Sequence, residues 1–153
     1  MDLVYDSNLI ARLLITVITV GYGFVTVLAD FNKTHATNPE WTPHARFHVV
    51  WQITSYVGFG LLALALAWTP GPAYVARLYL ACLFAAIVYG AFFVAILAMP
   101  LYDGRAYDRN GYLPFTVRVG RPRFFDVNVT AFTILVLVLM AAAASVSPAG
   151  DMG

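Results

Sequence analysis

Four apolar runs, each long enough to cross a bilayer, decide what this chain can become. They cover about residues 8–29, 43–68, 74–99 and 126–146. A hydrocarbon core about 30 Å thick needs about twenty apolar residues in helical form. Within lipid every backbone N–H and C=O must be satisfied by the chain itself, so only helices and closed barrels span it. The runs are too long for barrel strands and do not alternate. A length of 153 residues allows one domain, so residues 1–153 are expected to form a single four-span membrane domain. The expected fold class is all-α, an integral membrane antiparallel four-helix bundle with a long cytoplasmic loop between helices 3 and 4.

Punctuation supports these bounds. Thr42 suits an N-cap and Pro43 the first helical position, where its missing N–H costs nothing. Thr69-Pro-Gly-Pro72 reads as a tight turn between the second and third spans. Pro100 is expected to stop the third span, and Ser147-Pro148 follows the fourth. In the third loop, 101–125, Asn110-Gly111 is a hairpin signal, with Pro-Phe-Thr-Val-Arg-Val just after it. A small hairpin or cap over that end of the bundle is therefore expected, against the alternative of an ordinary exposed loop.

Charge sets an orientation. Lys33, Arg46, Arg105, Arg109, Arg118, Arg121 and Arg123 lie in or beside the first and third loops, against Arg12 and Arg77 on the opposite side. The positive-inside rule then places loops 1 and 3 in the cytoplasm and both termini outside. Eight arginines to one lysine in an Ala/Val-rich chain suggest a bacterial gene, hence a bacterial inner membrane. Asp2 and Asp6 stand where a signal peptide would be basic, so the first run is read as a retained span. A formal charge of +1 without a basic, aromatic-rich run excludes nucleic acid as a partner. Cys82, the single cysteine, excludes a disulfide framework and C-x-x-C motifs.

Ionisable groups mark the candidate site. All three histidines fall within residues 35–48, at the end where Asp30 closes the first span and Asp126 opens the fourth. Helical spacing puts Arg12, Thr16, Thr19, Gly23, Thr26 and Asp30 on one face of span one. His44, His48, Gln52 or Trp51, and Ser55 share a face of span two, and Asp126, Thr130 and Thr133 one of span four. These stripes are expected to face one another across the bundle. For the threonines, helix packing and back-bonding to the preceding turn explain the pattern well. Charged or titratable groups in a membrane default to function instead.

Three chemistries compete at this cluster. His44 and His48, one turn apart, suit an acid/base pair, with Asp30 or Asp126 orienting them and Glu40 as a gate or second acid. Gln52, Trp51, Ser55, Tyr22, Tyr56 and Tyr89 are the candidate substrate-binding residues, although core packing accounts for the aromatics individually. No cofactor is expected. If a metal ion is present, His35, His44 and His48 are its candidate ligands, but H-A-R-F-H lacks the glutamate of H-E-x-x-H and is no zinc-protease motif. The third explanation is anchoring, which suits Trp41, Trp51 and Arg46 at a membrane interface.

The segment T-H-A-T-N-P-E-W-T-P-H-A-R-F-H, Thr34 to His48, resembles a signature of small four-helix membrane proteins, N-P-x-W-x-P-H-A-[RK]-F-H. That resemblance implies four spans and draws attention to Asn38, Pro39, Trp41, Pro43, His44 and His48; it implies no activity. A looser analogy is to membrane-embedded sterol isomerases, which bury acids or histidines beneath an aromatic cavity. The leading expectation is a small membrane enzyme performing acid/base chemistry (isomerisation, cyclisation or hydration) on a lipophilic substrate such as an isoprenoid or steroid. The alternative is a non-catalytic membrane subunit or lipid-binding module, and the third a metal-dependent membrane enzyme. Expected partners are membrane lipid, a lipophilic small molecule, and a second copy or partner membrane subunit.

Overall fold

The computed structural model describes residue 5 and residues 7–107, 113–117 and 123–147. Four helices in it are long and apolar enough to cross a membrane: α1 (Leu9–Asp30), α2 (Pro43–Trp68), α3 (Tyr74–Tyr102) and α4 (Val127–Ala144). Helix α1 packs against the other three, α2 against α3, and α3 against α4. The core is narrow and built from small and aromatic residues. Ala11, Ile15, Ile18 and Tyr22 of α1 meet Ala63 and Ala67 of α2, Leu78, Ala81, Ala85 and Tyr89 of α3, and Ala142 of α4. Large apolar side chains such as Leu28, Leu97, Leu101 and Met140 point outward. That inversion is what a lipid solvent favours, because tails are as apolar as leucine and helices associate by close packing instead.

Helices α1 and α2 meet glycine on glycine. A Cβ placed on Gly60 of α2 would lie 3.4 Å from the Cα of Gly23 in α1, and one on Gly23 would lie 3.3 Å from the carbonyl oxygen of Tyr56. Around Gly23 the α1 backbone leaves the α pattern: Gly21–Val25 form a π turn between α-helical Leu9–Val20 and Thr26–Asp30. Such turns carry i→i+5 bonds and disturb the ladder on either side. Neighbouring side chains attend to that disturbance. Tyr89 of α3 donates its hydroxyl to the carbonyl of Ile18 at 2.5 Å, and Thr26 donates to the carbonyl of Tyr22 at 2.7 Å.

One end of the molecule is tied together by polar contacts. Asn8 exchanges two bonds with the backbone of Ser147, at 3.0 and 2.8 Å, joining the start of α1 to the tail of α4. Tyr5 donates to the Trp68 carbonyl at 3.2 Å and packs on Tyr74, whose hydroxyl reaches the carbonyl of Ala67. Trp68 donates its indole N–H to Thr16 at 2.8 Å.

At the opposite end Thr42 caps α2, accepting from the backbone N–H of Ala45 at 3.2 Å, with Pro43 opening the helix. Helix α3 does not stop at Pro100, as its sequence suggests, but runs through it to Tyr102. A proline in a last turn removes one bond and leaves carbonyls behind it exposed. Tyr102 folds back to donate its hydroxyl to the carbonyl of Ala95 at 2.8 Å, and Asp103 then ends the helix in the left-handed region at φ 52°. In the third connection, strands β1 (Phe115–Val117) and β2 (Arg123–Phe125) pair antiparallel with Phe115 opposite Phe125. The connection between these strands is 118–122, so their hairpin does not turn at Asn110-Gly111 as expected; both segments lie outside the described residues.

Candidate functional site

The first connection, residues 31–42, is scaffolded by two asparagines. Asn32 donates to the carbonyls of Leu28 and Ala29, at 2.9 and 2.8 Å, while its Oδ1 accepts from both the backbone and the hydroxyl of Thr34. Asn38 is buried, donates to the Thr34 carbonyl at 3.2 Å and accepts from the backbone N–H of Glu40 at 3.0 Å. Side-chain amides thus satisfy backbone groups that neither helix nor sheet serves. Asn38 carries part of the signature noted above; nothing in the spacing of Asn32 marks it as a loop brace. The result is a compact arm on which His35 sits. Its Nδ1 lies 2.7 Å from the Thr34 hydroxyl and 3.7 Å from Asp30 Oδ1, and its ring meets Trp41 edge-on at 5.3 Å.

His44 and His48 go elsewhere. Both are exposed on the outer face of α2, with their Nε2 atoms 2.9 Å apart and their rings nearly perpendicular at 4.4 Å. At that distance one imidazole N–H can donate to the bare ring nitrogen of the other. Phe47 stacks on His44 with its ring centroid 6.3 Å away, and Trp51 lies 5.9 Å from His48. One turn deeper, Phe47, Val50, Trp51 and Thr54 line an open hollow of about 340 Å³. Phe47 and Trp51, which contact the imidazoles, also form part of the wall of the hollow.

The other candidate residues distribute as follows. Asp30 meets His35, and among the described residues no ion pair joins it to His44 or His48. Asp126 caps α4, accepting from the backbone N–H of Val129 at 2.9 Å. Glu40 is exposed at the loop edge. Gln52, exposed, donates to the Tyr56 hydroxyl at 3.3 Å, and Ser55 is half-buried. Tyr22 and Tyr89 are fully buried against each other, centroids 6.0 Å apart, and Tyr56 meets Tyr22 at 6.5 Å. Tyr22 and Tyr89 thus belong to the core, and half-buried Tyr56 packs against it. Among the described residues no three His, Cys, Asp or Glu side chains come together to hold a metal ion, so His35 does not join the imidazole pair.

The three stripes therefore do not meet as expected. That of α1 is inward, with Arg12, Thr19, Gly23 and Thr26 buried, but His44, His48 and Gln52 of α2 face out. Thr130 and Thr133 of α4 turn back on the carbonyls of Asp126 and Val129, each at 2.7 Å. The physical reason is the glycine crossing: Gly23 against Gly60 fixes the rotation of α2, and Ile53, Gly60, Ala63 and Ala67 become its inner face.

A family model described as a family of unknown function, DUF6640, matches residues 14–145. The chain belongs to the DUF6640 family. No curated protein and no solved structure matches it. The matched residues take in the asparagine-braced arm, the imidazole pair, the hollow and the π turn of this DUF6640 member. The placement of Asp126 yields a specific expectation for it. Asp126→Ala should cost about 1 kcal/mol of stability, the ordinary worth of an N-cap, in a denaturant titration, while leaving ligand retention at the imidazole pair unchanged.

Proposed function

We propose that the chain captures a lipophilic molecule with a polar head from the bilayer, on the outer face of α2. The head would sit at His44 and His48 and the apolar body along Phe47, Val50, Trp51 and Thr54. One observation carries this reading: Phe47 and Trp51 contact the exposed imidazole pair and also line the hollow beside it, while Tyr22 and Tyr89 are packed into the core. Imidazoles at an interface can bond a hydroxyl, carbonyl or phosphate head, and an aromatic-walled hollow suits an isoprenoid or steroid body. A lipid-binding module is thus the leading function.

Acid/base catalysis is the second reading, favoured by the 2.9 Å separation of the two Nε2 atoms. One imidazole would remove a proton from a carbon of the bound molecule. The other would return a proton at a different carbon, which is an isomerisation needing no outside oxidant or reductant. A second copy or partner membrane subunit covering the face would exclude water from that step. Both readings take the helices as antiparallel, in the inner membrane of a bacterium, with this end in the cytoplasm. The arginine asymmetry and the contacts of Asn8 with Ser147 and Tyr5 with Trp68 support that arrangement.

The test is mass spectrometry of lipophilic molecules that co-purify with the full chain. His44→Ala, His48→Ala and Trp51→Ala should each stay folded, since exposed substitutions rarely change stability by more than about 0.5 kcal/mol, and should lose the bound molecule. Retention of the same molecule by all three variants would remove the binding reading. Incubation in heavy water separates the second: deuterium should enter a carbon of the ligand with the wild type and not with His48→Ala. Ligand that binds without exchange leaves a binding module alone.

A further inference from the structure

Arg12 lies at the other end of the bundle and has no place in the reading above. It is 4% exposed, in the second turn of a helix long and apolar enough to span a membrane. Two aromatic rings flank it: its guanidinium carbon is 3.7 Å from the Tyr5 ring centre and 4.8 Å from that of Trp68. Those rings are themselves held in place, Tyr5 by the Trp68 carbonyl and the Tyr74 ring, Trp68 by Thr16. Ring faces attract the charge but leave N–H donors without acceptors. The Arg12 Nε is buried without a hydrogen-bond partner. A buried cation in a membrane helix normally faces a counter-charge or a water-filled cavity. Among the described residues this aromatic box offers Nε no acceptor.

We propose that Arg12 is the centre of an anion site that takes a phosphate group. A planar guanidinium presents its donors as a fork that fits two oxygens of a phosphate, which an ammonium cannot do. Arg77 adds a second positive charge at the same end: its guanidinium carbon is 6.0 Å from the Tyr74 ring centre, and it donates to the Ala65 carbonyl at 3.4 Å. Arg12 lies one turn inside Asn8, near the end of a helix long and apolar enough to cross a membrane. The phosphate is either that of a lipid headgroup or a free ion. This site is independent of the imidazole pair, and neither stands on the other.

The experiment is thermal unfolding of the full chain in an uncharged maltoside detergent. Three probes are titrated at constant ionic strength: inorganic phosphate, a short-chain phosphatidylglycerol, and the matching diacylglycerol without phosphate. The expected result is a rise in Tm of several degrees with a phosphate-bearing probe and none with diacylglycerol. A rise with phosphatidylglycerol alone identifies a headgroup, and a rise with inorganic phosphate also identifies a free-ion site. Arg12→Lys keeps the charge without the fork and should weaken the response by about ten-fold, a loss of about 1.4 kcal/mol in binding free energy; Arg12→Gln should abolish it. The proposal is overturned if neither phosphate source stabilises the wild type, which needs no variant to fold. It is overturned equally if Arg12→Lys responds as the wild type does, or if diacylglycerol alone reproduces the shift. Asp2→Asn with Asp6→Asn completes the test. Loss of the same stability as in Arg12→Gln, with no phosphate response in the wild type, would assign the counter-charge to the chain itself.

Discussion

Gly60→Leu is expected to separate α1 from α2 and leave little folded protein in mild detergent. A methyl group at this position meets Gly23 Cα at 3.4 Å, ordinary contact, so Gly60→Ala should be nearly neutral. A leucine side chain would have to occupy space already taken by Gly23, Thr19 and Phe24. Overpacking of that kind costs about 1–3 kcal/mol in a well-packed core, and here it would fall on the crossing that sets the rotation of α2. Steepness is the informative quantity. Denaturant titrations of Gly60→Ala, Gly60→Val and Gly60→Leu should show cost rising sharply with size, and a flat series would mean the two helices are not in contact there.

The second large effect is a difference in sign between two buried tyrosines. Tyr89 donates to the Ile18 carbonyl at the edge of the π turn, whereas the Tyr22 hydroxyl faces Thr19 without reaching acceptable hydrogen-bond geometry. Tyr89→Phe should therefore lose about 1 kcal/mol, the net worth of a typical hydrogen bond, and more if the Ile18 carbonyl is left short of partners. Tyr22→Phe removes a buried hydroxyl that has none, and should be neutral or stabilising by about 1 kcal/mol. Equilibrium unfolding of the two variants side by side checks the pair. Equal losses would mean that Tyr22 has found a partner, with Thr19 the first residue to examine.

Much of the architecture could be read from local patterns. The four helices follow from apolar runs that no other backbone form can carry through lipid, and the start of α2 from Thr42 and Pro43. Helix α3 overran its expected end by two residues past Pro100, and Tyr102 bonds back to the Ala95 carbonyl there. The candidate site was legible as a cluster but not as a geometry. Spacing of three and four places His44 and His48 together, and they do touch. Which way that face turns depends on where Gly23 meets Gly60, a contact between distant residues that a single helical period cannot reveal. Asp30 and Asp126 were plausible partners by proximity to the same membrane surface. Local geometry claimed them first, Asp30 through the His35 arm and Asp126 through the cap of α4.

The π turn also bears on how this chain can change length. An extra residue in a transmembrane helix would ordinarily rotate everything after it by about 100°, given 3.6 residues per turn. A π turn absorbs that surplus in one place, so the helix on either side keeps its facing. Gly21–Val25 is consequently the one segment of α1 where loss of a single residue leaves both Arg12 and Asp30 pointing where they point now. Insertions and deletions among kindred sequences should therefore collect at that turn, and be purged from the rest of the helix.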